Sequence, residues 1–337
     1  MKKTLMFLVA ATMSMASNAT ILRVSNVPGS SAPYTSIQDA HDAASEGDTI
    51  MVDGSSISYG SIEIKKQLVL IGPGYWLTEN GIISEGATFA RINNLTIAEG
   101  ASGTIIQGFR IWENLNDAMS IRANNCVITR CSITGGSANG NGIVFYGNGM
   151  SGGVVHQNIF FNSCVAGSSQ TKWADPANMT SNVQVTNNIF AISGWSKRAI
   201  VSFTNSYIAY NSIITDDFDE PRFSGCSACT IEHNIIPNKD IWYKNTAIVD
   251  NNEWSDNYVG GVLDVDGNKI YSTYTTDKDI RDAELAMSEG LYGAFAGDSP
   301  YVISGIPAGP VIEDLIVPTT VEKGSTMNVT IKVGIQK

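Results

Sequence analysis

The feature that most constrains this chain is a six-residue phrase that returns between Ile106 and Ile236. It reads as an aliphatic residue, two mostly polar residues, a small or amide residue, any residue, then an apolar one. Six copies are present: IQGFRI from Ile106, ITRCSI from Ile128, VHQNIF from Val155, VTNNIF from Val185, IAYNSI from Ile208 and IEHNII from Ile231. Their starts lie 22, 27, 30, 23 and 23 residues apart. A unit with this period stacks on its neighbours as a solenoid instead of closing a core of its own. Each period has room for three short strands joined by turns, so coils stack in parallel and bury aliphatic columns. Asn158, Asn188, Asn211 and Asn234 share the fourth position, with Phe109 and Cys131 there in the earlier copies. Asn tolerates the left-handed backbone of a tight corner, and stacked amides can bond along the axis. The amide column is therefore read as structural.

The first nineteen residues, MKKTLMFLVAATMSMASNA, join Lys2 and Lys3 to an apolar run and a small-residue stretch ending at Ala19. This is the pattern of a secretory signal peptide cut after Ala19, and the apolar run is too short for a membrane span. A periplasmic, surface-exposed or secreted protein is expected. Net charge is 21 basic minus 32 acidic residues, or −11, and −13 once Lys2 and Lys3 are lost (−11 − 2). That balance opposes a nucleic-acid partner, because affinity for phosphate backbones comes from Lys and Arg clusters.

Five cysteines, an odd number, do not make a disulfide framework. Cys126 and Cys229 fall in one column four starts apart, about 20 Å at roughly 4.8 Å per coil, beyond bonding reach. Cys226 and Cys229 form a lone C-x-x-C, read as a local disulfide or two free thiols. Zinc would need a second pair.

In chain order, ILRVSN from Ile21 reads as a strand and TSIQDAHDAASEG as a short amphipathic helix. Thr35 and Gln38 have capping-box spacing, Ile37, Ala40 and Ala44 form the apolar stripe, and His41 is expected on the solvated side. The strand-like runs GDTIMVDG, SIEIKKQLVLIGPG and ATFARINNLTI follow. Here the order of elements resembles the opening of right-handed parallel β-helix proteins, the pectate-lyase-like superfold. Asp48, Thr49, Ile50 and Ile71 to Gly74 carry the resemblance, which extends from about residue 21 to 300. It implies a fold with a helix capping its open end, and no particular chemistry, since such solenoids host lyases, hydrolases, adhesins and scaffolds.

Past Ile236, DKDIRDAELAMSEG reads as a short helix. GLYGAFAGDSPYVISGIPAGP reads as a turn-rich closing segment that resembles the ends of many secreted bacterial β-helix proteins. VIEDLIVP and MNVTIKV read as a two-stranded appendage, too small to fold alone and expected to pack on the solenoid or cover its C-terminal end. The expected organisation is a signal peptide over residues 1–19, an all-β right-handed parallel β-helix over 20–309, and the appendage over 310–337. The solenoid is expected to be single-stranded, with an N-terminal capping helix and roughly eight to ten coils.

Site residues must come from the loops between phrases, which mix aromatic and charged side chains. Trp195, Phe218 and Trp242 fall ten, ten and eleven residues after their ladder starts, which places them on one side of the solenoid. Sugar rings present apolar faces to aromatic rings, and their hydroxyls need polar partners. Trp173, Trp195, Phe218 and Trp242, with Lys172 and Asp175, are the candidate surface for an extended extracellular polysaccharide. The same rings folded back would only shield the solenoid flank.

For catalysis, Asp216, Asp217 and Asp219, with Glu220 and Arg222 beside them, offer paired carboxylates for acid and base work on a glycosidic bond. The Asp216-Asp217 doublet resembles that of polygalacturonase-type hydrolases, whose Asn-Thr-Asp, Gly-His-Gly and Arg-Ile-Lys motifs are absent. A lyase would instead draw its base from Lys197, Arg198 or Lys172 and set calcium in the acidic loop, although no lyase motif matches. Calcium is the one cofactor suggested, and no metal-ligand set is assigned. His156 and His233 sit at outward phrase positions and read as surface or corner residues. The residues favour noncatalytic binding over two alternatives, a polysaccharide lyase or hydrolase and a surface structural protein.

Overall fold

Each ladder phrase is one corner of a coil. Ile106 lies in strand Ile105–Gln107 and Ile111 in strand Arg110–Trp112, with Gly108 and Phe109 making the bend. A third strand, Met119–Ile121, follows before the chain re-enters the first sheet at Val127–Thr129. The computed structural model describes residues 19–82, 89–112, 117–135, 141–146, 149–168, 178–192, 198–215, 222–237, 241–242, 251–261, 276–307, 309–316, 326–327 and 329–336, the backbone alone in 241–242, 309–316 and 333–336. Equivalent strands pair in parallel into first, second and third sheets of ten, eight and eight strands. The architecture is a right-handed parallel β-helix.

Register is strict because a slip of one residue would turn each strand's apolar side chain to solvent. Ile106, Ile128, Val155, Val185, Ile208 and Ile231 stand rung on rung in the first sheet. All six are fully buried. In the second sheet Phe160 and Phe190 stack with centroids 4.7 Å apart.

The amide column is a continuous internal hydrogen-bond chain. Asn158 N and Nδ2 both donate to Asn188 Oδ1 at 3.0 Å, and Asn188, Asn211 and Asn234 repeat the arrangement. Asn257, one coil beyond the legible phrases, accepts from Asn234 and extends it. The left-handed backbone belongs to the preceding residue, not to the Asn. Arg130, Gln157, Asn187, Tyr210 and His233 have φ between 53° and 57°. Such a conformation costs an ordinary residue about 1–2 kcal/mol, and here Gln157, Asn187, Tyr210 and His233 are each followed by a bonded Asn of the column, while Arg130 is followed by Cys131, whose N donates to Asn158 Oδ1.

Helix α1 (Ile37–Ala43) packs on the strands Ile21–Val24, Thr49–Val52 and Ile62–Ile64 at the solenoid's N-terminal end. Its N-cap is Ser36, one residue later than the expected Thr35, and Ser36 Oγ accepts from Asp39 N. His41 is buried, against expectation. Its Nε2 accepts from Lys65 N at 3.0 Å while Nδ1 faces Asp42 at 2.8 Å. The side that an isolated amphipathic helix would give to water here meets the turn after Ile62–Ile64.

Helix α2 (Asp277–Ser288) opens with a capping box between Thr276 and Asp279. Ile280 joins the outward residues Ile159, Ile189, Ile214 and Ile235 of the second sheet in one apolar cluster. The chain then runs back along the corner as a strap. Gly293 N donates to His233 O, Asn187 Nδ2 to the carbonyls of Ala294 and Ala296, Gln157 Nε2 to Pro300 O, and Arg130 Nη1 to Ile306 O. The closing segment therefore does not finish at the C-terminal coil. It returns across five ladder copies until Pro307 packs against Gly108, where a side chain would collide with it. From there the chain enters the antiparallel pair Gly309–Ile316 and Thr330–Gln336, the expected two-stranded appendage.

All five thiols are unlinked and buried, including Cys226 and Cys229. Burial pushes the thiols of Cys126 and Cys229 up to about 11 and that of Cys131 to about 12. Among the described residues no helix is long and apolar enough to cross a membrane; residues 1–18 lie outside them.

Candidate functional site

The third sheet collects the strands next to the candidate loops. Val165–Ala166, Ile200–Val201, Phe223–Ser224 and Ile241–Trp242 are consecutive neighbours in it. Trp195, Lys197 and Arg198 precede the second of these strands in the chain, and Asp216, Asp217, Phe218 and Asp219 precede the third. Trp242 occupies the register position of Ser224 and Val201. Lys172, Trp173 and Asp175 follow Val165–Ala166 and so come off the opposite end of that strand.

Lys172, Trp173, Asp175, Trp195, Lys197, Asp216, Asp217, Phe218, Asp219 and the neighbouring Glu220 lie outside the described residues, as does the side chain of Trp242. Arg198 is described and buried. Arg222 is fully buried, and its Nη2 donates to Thr215 Oγ1 at 2.6 Å. A guanidinium enclosed in this way braces the strand ends. Among the described residues no three His, Cys, Asp or Glu side chains converge as a metal ion would require, and the loop proposed for calcium is not among them.

The outward column of the same sheet changes character along the axis. Glu63 is exposed, Thr96 and Ser120 are half-buried, and Val144, Ala166 and Val201 are buried although they point outward. At the change stands a polar cluster that the ladder gave no sign of. Asp117 accepts from Tyr146 Oη at 2.5 Å, from Asn141 N at 2.9 Å and from Asn141 Nδ2 at 2.7 Å. Arg122, which is exposed, lies 4.8 Å over the Tyr146 ring. Burial, then the bonded Asp117, raises the Tyr146 phenol to about 12. With three donors on it, Asp117 ties adjacent coils together and positions the tyrosine as a rigid platform edged by a cation. Sequence reasoning missed the cluster because its members come from turns on two coils and share no phrase position.

His156 is half-buried in the wall beneath the strap, with Nδ1 2.9 Å from Thr186 Oγ1 and Nε2 3.1 Å from Ser299 Oγ. Burial lowers it to about 4. His233 stacks on Tyr210 at 4.8 Å. Both are corner residues, as expected.

No protein-family model matches the chain. No curated protein matches it either. Among solved structures it is similar to a pectin methylesterase from Aspergillus niger, at 12% identity and a TM-score of 0.38, covering 76% of this chain and 90% of that one. A pectin methylesterase in complex with a hexasaccharide is similar at 12% identity and a TM-score of 0.28, over 85% and 98% of the two chains. Likeness of this degree carries no argument about chemistry.

Proposed function

We propose that the protein is a secreted β-helix that binds an extended extracellular polysaccharide along the flank of its third sheet. The rings of Trp173, Trp195, Phe218 and Trp242 supply the stacking faces, and Lys172 and Asp175 the polar fringe. One observation supports this above the others. The chain segments that carry these residues lead into, lie within or leave four consecutive strands of a single sheet, Lys172, Trp173 and Asp175 on the leaving side. Parallel coils repeat at roughly 4.8 Å, so positions on neighbouring coils form a row suited to a linear polymer. The buried Arg198 is better suited to bracing that flank than to moving protons.

Affinity electrophoresis across a panel of neutral and acidic polysaccharides tests the reading. Trp195→Ala and Trp242→Ala should each lose retardation on the gel that retains the native protein, with the thermal midpoint unchanged. Retardation that survives both substitutions would remove the flank from consideration. Release of reducing ends or unsaturated uronates from any member of the panel would replace binding with catalysis.

A further inference from the structure

The outer face of the second sheet carries a like-charged pair near its N-terminal edge. FARI from Phe89 and GFRIW from Gly108 set Arg91 and Arg110 at the same register position of adjacent strands. Parallel in-register pairing holds such residues about 4.8 Å apart, a spacing at which two cations repel. Burial, then the neighbouring Arg91, lowers the Arg110 pKa below its ordinary value, with the exposed Glu79 acting weakly the other way. Among the described residues neither guanidinium has a carboxylate within 4.0 Å. Arg91 Nε is buried without a hydrogen-bond partner.

Aromatic rings hold Arg110 in place. The Arg110 guanidinium lies 4.6 Å from the Phe89 centroid and 5.2 Å from that of Trp112. Trp112 is 40% exposed. Cations stacked on rings keep their N–H edges free for an acceptor. Among the described residues, two adjacent arginines thus stand without a paired carboxylate beside an open indole, in a chain of net charge −11.

We propose that Phe89, Arg91, Arg110 and Trp112 form a binding site for a carboxylated sugar, the uronate ring on Trp112 and its carboxylate on the arginine pair. A planar carboxylate matches the guanidinium fork and accepts two parallel N–H bonds. The adjacent C–H face of the ring suits the indole. A bare inorganic anion would use the arginines and leave Trp112 idle. This site lies on a different face from the third-sheet flank. It shares with the proposed function only the choice of a glycan as ligand.

Calorimetric titration of the full chain with hexamers of galacturonate, mannuronate and guluronate, and with their carboxyl-reduced forms, tests the site. At least one uronate should bind, its reduced form should not, and affinity should fall as salt rises. Arg110→Met, Arg91→Met and Trp112→Ala should each weaken binding by about tenfold or more, with unchanged thermal midpoints. Arg110→Lys, which keeps the charge and loses the fork, should fall between. Trp195→Ala and Trp242→Ala should leave this binding intact, which separates the site from the flank. The proposal is overturned by any of four results: equal affinity for the reduced hexamers, indifference to Arg110→Met and Trp112→Ala, sulfate competing as well as the uronate, or no uronate binding.

Discussion

Glu284 on α2 accepts the hydroxyl of Ser212 in the second sheet and, at 2.8 Å, the amide of Phe295 in the strap. One carboxyl thus joins helix, sheet and strap. Burial raises its pKa to about 7. The folded value is above the unfolded one, so the stabilisation is fully present below about pH 4.5 and is lost as pH rises through about 7. His156, beneath the same strap and lowered to about 4 by burial, works the other way. Its contribution is present above about pH 6.5 and is lost as pH falls through about 4. The thermal midpoint should therefore peak in mildly acidic buffer, and Glu284→Gln should flatten the alkaline limb while sparing the acid one. Identical profiles for the two proteins would show that Glu284 is not the titrating group.

The amide ladder should be most sensitive at its middle. Asn188 accepts two bonds from Asn158 and donates to the carbonyls of Val155 and Thr186 and to the amide of Asn211. Asn188→Ala orphans several buried groups and should cost on the order of 3–5 kcal/mol. Asn257 closes the chain in a half-exposed place, and its loss should cost about 1 kcal/mol. Urea denaturation of both variants measures the contrast, and equal losses would refute a ladder that acts as a unit.

Gly305 lies where the strap is pressed against the corner. Its φ is +55°, and a Cβ there would sit 2.4 Å from Arg130 O and from the Tyr75 ring. Gly305→Ala should undock the strap without unfolding the coils. Limited proteolysis should then cut between residues 289 and 307 while the far-ultraviolet signal stays native. Resistance equal to that of the unaltered chain would place the strap's anchorage elsewhere, with the buried Asp277 and its donors Asn80, Tyr301 and Ser304 as the next candidates.

The buried thiols should be silent in the native state. With Cys126, Cys131 and Cys229 raised by burial to between about 11 and 12, a disulfide reagent at mildly alkaline pH should find few thiolates to react with. Reaction should begin only with global unfolding in denaturant, and a fast native-state phase would contradict the burial described.

The ladder could be read from sequence because every copy repeats the same local problem, an inward apolar residue on either side of a corner. The amides were legible for the same reason, although the left-handed residue was placed one position late, since Asn suits both roles. His41 could not be placed, because its burial depends on the turn at Lys65, which a single helix does not reveal. The strap was invisible for a different reason. Ala294 and Tyr301 follow no strand or helix period, and what they and Ile280 of α2 cover is set by where the second sheet's outward residues fall. Asp117 and Tyr146 are likewise joined only by the stacking of two coils.

Solenoids ordinarily tolerate a change in copy number, since each coil is interchangeable with the next. The strap removes that freedom between Arg130 and His233. Its stops at Ile306, Pro300, Ala296 and Gly293 are set by one stretch of chain, whereas the corners they meet would spread by one pitch for every coil inserted. Duplicating a coil inside that span would tear the stops from their partners, while duplication beyond it would not. The molecule is, in effect, an open-ended repeat with a tape measure sewn along one seam, and its length there is inherited as a single number.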